Sequence, residues 1–305
     1  MPSAAQVDRL SAAHERLIDG LDEAHGANLA TVLEELERQI EKAVGNKEIT
    51  PSEAIKKRIV IEAAIRGTFL NWAHETVDEY ELPARNVVSM LQKLGAIEGW
   101  TPQDAVTVNQ LKRVAFSGYE DIAERYLNIL SNGLYMNSLT GRPMSETQRE
   151  LRQAINGVFA RSDSAEAQRL VDFINEHRAD PDFDEEVAKA TERLHTEFAR
   201  DVAGNNLRRY AYQQTHDAIR QFNGSFVAAQ AEAAGLSHFK YNGDIISTSR
   251  SFCKGLIGSV LSKEEIMQKW SEKSWAGKAP GSPFEVRGGY NCRHHFTPVK
   301  PEWVN

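Results

Sequence analysis

Cysteine is nearly absent from this chain of 305 residues. Only Cys253 and Cys292 are present, both in the last quarter. That excludes a disulfide-rich secreted scaffold and points to synthesis in a reducing cytoplasm. Long apolar runs are missing too. Nothing approaches the ~18 uncharged apolar residues that a membrane span needs, so no membrane partner is expected. The opening "MPSAAQVDRLSAAHERLIDG" carries charges every few positions and no apolar centre. It does not read as a secretory signal. Phosphate loops of the GxxxxGKS or GxGxxG type are lacking, as are HExxH and GxSxG. These absences argue against a common nucleotide-dependent or hydrolytic enzyme, and no catalytic residues are assigned.

Charge of one sign is scarce in the tail. From Ser237 onward there are ten Lys and Arg against six acids, whereas the rest holds 26 against 37. An acidic body with a mildly basic tail implies two surfaces with different partners. The excess is too small to diagnose nucleic-acid binding, which usually shows a denser basic patch.

What the chain has is helical periodicity. Leu29, Val32, Leu33, Leu36, Ile40 and Val44 recur at helical spacing over 27–45. Thr50, Pro51 and Glu53 form a helix start of the capping-box kind, and Thr101 with Pro102 opens another. Gly118 predicts a bend in that second helix. "NGLYMNSLTGRPMSETQ" (132–148) reads as the clearest break, followed by a capping box of Ser145 and Gln148. Further helices are expected at 146–160, 164–178 and 183–234, the last weakened at "AGNN" and ending at Gly235. The expected fold is mainly α, a multi-helix body with a small C-terminal α+β module. The divisions are 1–140, 141–235 and 236–305.

In the tail, "SHFKYNGD" and "FEVRGGY" read as strands, and "LSKEEIMQKWSE" as a short helix capped by Ser262 and Glu265. Gly288 and Gly289 supply a sharp turn before Tyr290. Cys253 and Cys292 flank the module, with His294 and His295 just behind the second cysteine. Thiolate and imidazole are preferred zinc ligands. One structural Zn²⁺, a disulfide and a pair of packed thiols are three alternatives for the cysteines. Adjacent histidines on a strand face opposite ways, so one of the two joins Cys292 easily. Cys beside His also fits a nucleophile, but the set is too compact for the separated positions of a His-Asn-His nuclease. Arg250 and Arg293 could bind carboxylates within the module or phosphate outside it, with internal pairing the default.

The same residues carry a resemblance. The passage from "AYQQTHDAIRQFNGSFVAAQAEAAGLSHFKY" through "NGDIISTSRSFCKGLIGSVLSKEEI" to "GGYNCRHHFTPV" is similar to the C-terminal region of the phage head morphogenesis proteins of the Mu F-like family, which includes a phage SPP1 relative. The matching positions are Gly235, Tyr241, Arg250, Cys253, Leu256, Gly258, Asn291, Cys292, Arg293 and His294. They span roughly residues 205–300. This chain has His216 where the family often has an acid, and Cys-Arg-His-His where it often has Cys-Arg-Cys. The resemblance implies a minor capsid protein of a tailed phage. Such a protein is made in the host cytoplasm and resides in the virion head near the portal vertex. Its implied partners are the portal protein, other head proteins and, as a further candidate, packaged DNA, and its implied role is head assembly or DNA delivery. The contrasting expectation is a metal-dependent nuclease or toxin-like effector packaged in the head. A generic DNA-binding protein is a third, with an affinity that falls steeply with salt.

Overall fold

Helix starts follow the local chemistry of the chain. Glu53 accepts the Thr50 N–H at 2.8 Å and Thr50 Oγ1 accepts the Glu53 N–H at 3.3 Å, with Pro51 first in the helix. Thr101 and Asp104 exchange the equivalent bonds at 2.6 and 3.3 Å. Ser262 and Glu265 do so at 2.8 and 3.2 Å. Asn206 accepts the Arg209 N–H at 2.9 Å and so caps the helix that leads into the tail.

This computed structural model describes residues 1–156, 206–245, 249–275, 278–290 and 292–304, with isolated positions between 157 and 205. The fold is mainly α with a small C-terminal α+β module, as expected from the sequence. The elements are α1 (Ala4–Val44), α2 (Pro51–Ala64), a π-helical turn (Ile65–Leu70), α3 (Asn71–Asp78), α4 (Glu81–Lys93), α5 (Pro102–Thr140), α6 (Met144–Asn156) and α7 (Leu207–Ala233). The tail then holds β1 (His238–Asn242), α8 (Ser251–Leu256), β2 (Val260–Ser262), α9 (Lys263–Glu272), α10 (Pro283–Val286), β3 (His295–Val299) and a 3₁₀ turn (Pro301–Trp303).

Two compact units can be distinguished. One contains 1–27, 73–118 and 213–305, and the other 28–72 and 119–212. The expected divisions at 140 and 235 are not boundaries of these units; they fall at or next to the ends of α5 and α7. In the second unit, Leu29, Leu33, Leu36 and Ile40 bury one stripe of α1 completely. Trp72 meets Tyr119 edge-on at 5.7 Å, with Phe69 beside both. In the first unit, α7 buries Ile219, Phe222 and Phe226, and Phe222 packs on Tyr80 at 5.2 Å. Its sheet is antiparallel in the order β2–β1–β3, with Tyr241 opposite Phe296 and Asn242 opposite His295. One sheet face carries Phe239, Tyr241 and Phe296, which pack together with Phe284. The other meets the start of α1, where Lys240 pairs with Asp8 at 2.5 Å and Thr297 bonds Ser11 at 2.6 Å.

Several expectations are corrected. α5 runs unbroken through Gly118 and Gly133 to Thr140. At Gly118 a Cβ would collide with the Gln214 side chain, so the glycine serves close packing rather than a bend. α6 begins at Met144, with Pro143 O accepting the Glu146 and Thr147 N–H groups. Ser145 therefore lies in the first turn, and Gln148 instead donates to Gly45 O at 3.0 Å. "FEVRGGY" is not a strand. Ser282 Oγ accepts the Phe284 N–H and Pro283 occupies the first helical position, so the segment makes the turn of helix α10. The closing strand is β3. The helices expected at 164–178 and over the first part of 183–234 lie outside the described residues.

Candidate metal centre

The β1–β3 pairing sets the geometry of the tail. Tyr241 ends up beside the chain that enters β3, and α8 brings Cys253 to the same place. Cys253 Sγ lies 3.9 Å from Cys292 Sγ, and Cys292 Sγ lies 3.4 Å from His294 Nδ1. The three ligand atoms all fall within 4.8 Å of one another. Cys253 is fully buried, Cys292 2% exposed and His294 6% exposed. Both thiols are free. Their separation is far beyond the about 2.05 Å of a disulfide bond.

The distances fit a tetrahedral ion. Zn–S near 2.3 Å and Zn–N near 2.0–2.1 Å put two sulfurs about 3.8 Å apart, and a sulfur and nitrogen about 3.5 Å apart. His294 Nε2 lies 3.0 Å from the Asp244 carbonyl, so the ring donates there and turns Nδ1 to the sulfurs as an acceptor. Space is cleared by glycine. A Cβ on Gly288 would collide with Cys253 Sγ and stand 3.0 Å from Cys292 Sγ. One on Gly243 would stand 2.7 Å from His294 Cδ2. Gly288 therefore makes room for the sulfurs, a role beyond the turn expected for the Gly288-Gly289 pair. Gly289 does adopt φ 105°.

The surroundings favour anionic sulfur. The hydrogen bond from Cys253 draws Cys292 toward the thiolate against its burial, and His294 and the Arg287 charge add to the pull. The same hydrogen bond between the thiols, together with burial, pushes the Cys253 thiol up. Burial and the two neighbouring sulfurs push the Tyr241 phenol well above its usual range. It stays a donor, 3.4 Å from Cys253 Sγ and 3.9 Å from Cys292 Sγ. Arg287 was missed in the sequence, where it read only as a charge beside two glycines. It is 2% exposed, adopts φ 53°, and bonds Cys292 O at 3.2 Å and Glu285 O at 3.1 Å.

Other motif residues act as ties. Arg250 donates to Tyr290 O at 2.6 Å, which fastens the first cysteine segment to the second. Gly258 has φ 79° and donates its N–H to Tyr241 O at 2.8 Å. Arg293 is exposed, and its carbonyl accepts from Arg220 at 3.3 Å. Asn291 lies outside the described residues.

His295 does not join the metal group. It is in β3, one residue on from His294, and turns to α1. Its Nε2 is 2.9 Å from Ser11 Oγ, and its Nδ1 is 3.4 Å from Glu15 Oε1. The order Ser11–His295–Glu15 has the parts of a nucleophile, base and acid. Yet Ser11 is 4% exposed and its hydroxyl is shared with Thr297 and Asn242. No substrate can reach it, so the set reads as a strand-to-helix clasp.

The remaining histidines sit elsewhere. His14 is buried, with Nδ1 2.9 Å from Asn86 Oδ1 and Nε2 2.8 Å from Asn223 Oδ1. A neutral imidazole donates from one nitrogen and accepts at the other, so one of these amides presents its NH₂. His25 pairs with Glu79 at 3.0 Å and His74 with Asp78 at 3.2 Å. His177 lies against Phe173, the two rings tilted with centroids 4.7 Å apart. His195 lies outside the described residues. His216 meets Asp22 at 2.5 Å.

Among the described residues no helix is long and apolar enough to cross a membrane. Comparison with known proteins finds no matching family model, no matching curated protein and no matching solved structure.

Proposed function

We propose that this chain is a minor structural protein of a tailed-phage head, acting at the portal vertex in head assembly or DNA delivery. Its tail module is closed by one zinc ion held by Cys253, Cys292 and His294. The observation that supports the reading is the meeting of two motif halves that are distant in sequence. Cys253 and Arg250 from one half reach Cys292, His294 and Tyr290 from the other. The segments that carry the resemblance to the Mu F-like family are the ones that build this centre. The centre is architectural in this reading, because small modules with little apolar content gain most from such a staple.

The helical body is the part that docks on other head proteins, through amphipathic helices of the kind that pack against partner helices. The test is association with purified portal rings. The full-length chain is expected to co-elute with the ring, and Cys292→Ser, which unfastens the tail, is expected to retain that association. Failure of the full-length chain to associate contradicts the portal assignment. Loss of binding in Cys292→Ser alone would move the docking surface to the tail.

A further inference from the structure

We propose that the outward face of α2 is an interface with a second copy of this chain, the two copies related by a two-fold axis near Ile59. The proposal concerns the unit of residues 28–72 and 119–212 alone. It depends on neither the metal centre nor the portal assignment.

α2 is apolar on two sides. Ala54, Ile61 and Ala64 are buried and hold the helix to its own unit. Ile55, Ile59 and Val60 point the other way and are 61%, 72% and 47% exposed. Ala63, also exposed, extends the row. Positions 55, 59 and 63 recur every four residues, so they form one stripe along the helix rather than isolated surface residues. A helix that is apolar all round is ordinarily covered all round. Among the described residues nothing covers this stripe.

The charges around it say what the cover is. Beside the second half of α2 lies a cleft of about 540 Å³ against α5, large enough to receive side chains from outside. Its charged lining is Glu62, Glu120, Asp121 and Glu124 against Arg58 and Arg66, four acids to two arginines. Arg66 pairs with Glu62 at 2.9 Å, and Arg58 donates to the Asn128 amide at 3.0 Å. Glu120, Asp121 and Glu124 are exposed and form no hydrogen bond or ion pair among the described residues. The first half of α2 has the opposite sign. It carries Lys56, Lys57 and Arg58 against the single acid Glu53, which is occupied in the helix cap. Lys57 also reaches the Ala43 carbonyl, while Lys56 is exposed. Arg58 stands where the basic half and the acidic cleft meet.

A basic apolar half next to an acidic cleft is complementary to itself after a half-turn, the requirement of an isologous dimer. Antiparallel packing of two α2 helices about Ile59 sets that side chain against the partner's Ile59. It sets Ile55 against the partner's Ala63, a large residue against a small one. The same half-turn carries the basic half of each helix toward the acidic half of the other, which fixes register as well as attraction.

The experiment is sedimentation of full-length protein over a concentration series, at low and raised salt. A dimer is expected, and raised salt should weaken it because its charges are exposed before association. Ile59→Asp should raise the dissociation constant by about tenfold or more without loss of helix content. Glu124→Lys should weaken the dimer several-fold. Ile59→Cys should give a disulfide-linked dimer on mild oxidation, whereas wild-type protein, with both cysteines buried, should not. A monomer at every concentration would overturn the proposal. So would a dimer that Ile59→Asp leaves intact, or one in which Ile59→Cys fails to cross-link. A monomeric wild type whose Ile59→Asp variant no longer binds portal rings would give the stripe to the ring, overturning self-association while the portal reading stands. A monomeric wild type whose Tm falls in Ile59→Asp would place the cover within the chain itself, and overturn the proposal equally.

Discussion

Replacing Gly288 by alanine tests the packing of the centre with one methyl group. The added Cβ would collide with Cys253 Sγ and lie 3.0 Å from Cys292 Sγ and 3.7 Å from Cys292 Cβ. Gly288 is not among the glycines with positive φ, so the backbone accepts alanine and the cost comes from space alone. The sulfurs sit on short, buried side chains and cannot swing away like the end of a lysine. Overpacking of this kind costs about 1–3 kcal/mol. In a unit of this size each kcal/mol lowers Tm by roughly 2–4 °C. Thermal unfolding of metal-loaded protein should show that loss, and competition with a chelator should show weaker metal binding. The decisive arm is a double-mutant cycle with Cys253→Ala measured without metal. Removing the colliding sulfur should abolish most of the Gly288→Ala penalty, giving a coupling of about 0.5–3 kcal/mol. Additive effects would refute the placement of Gly288 over the thiols.

Other perturbations separate the neighbouring features. His294→Ala should lose metal, whereas His295→Ala should retain it and lose about 1–3 kcal/mol by leaving the half-buried Glu15 carboxylate without its partner; equal metal loss in both would contradict the opposite facing of the two rings. His14 is held neutral mainly by burial, which lowers its pKa against the raising effect of Asn86 and Asn223. The unfolded chain therefore takes up a proton first as pH falls below about 6.5, and stability should fall there until the folded-state pKa is reached. Denaturant titration from pH 8 to pH 5 should show that slope in the wild type and a flatter one in His14→Gln. Gly224→Ala should destabilise strongly, because its Cβ would run into the backbone carbonyl of Phe284. Gly118→Ala meets only the end of Gln214 and gains up to about 1 kcal/mol of helix propensity, so unfolding should find it near neutral.

The parts of this fold that are legible in the sequence are those decided locally. Thr50 with Glu53 and Ser262 with Glu265 cap their own helices, and the Leu29–Ile40 stripe repeats within one element. Gly118 was misread because its reason is Gln214, distant in sequence. "FEVRGGY" alternates like a strand, but the cap at Ser282 and Pro283 outweighs four residues of alternation. In the centre, the cysteines and His294 were visible from residue type and clustering. Arg287 was not, because its burial depends on strand pairing. The clasp of Ser11 and Glu15 on His295 was invisible for a similar reason, since it joins opposite ends of the chain.

The central claim is that the tail closes around a metal. Elemental analysis of full-length protein purified under reducing conditions, alongside Cys292→Ser, tests it most directly. The account predicts about one zinc per chain in the wild type and its loss in the variant. Wild-type protein without zinc, or a Cys292→Ser variant that keeps it, would contradict the claim.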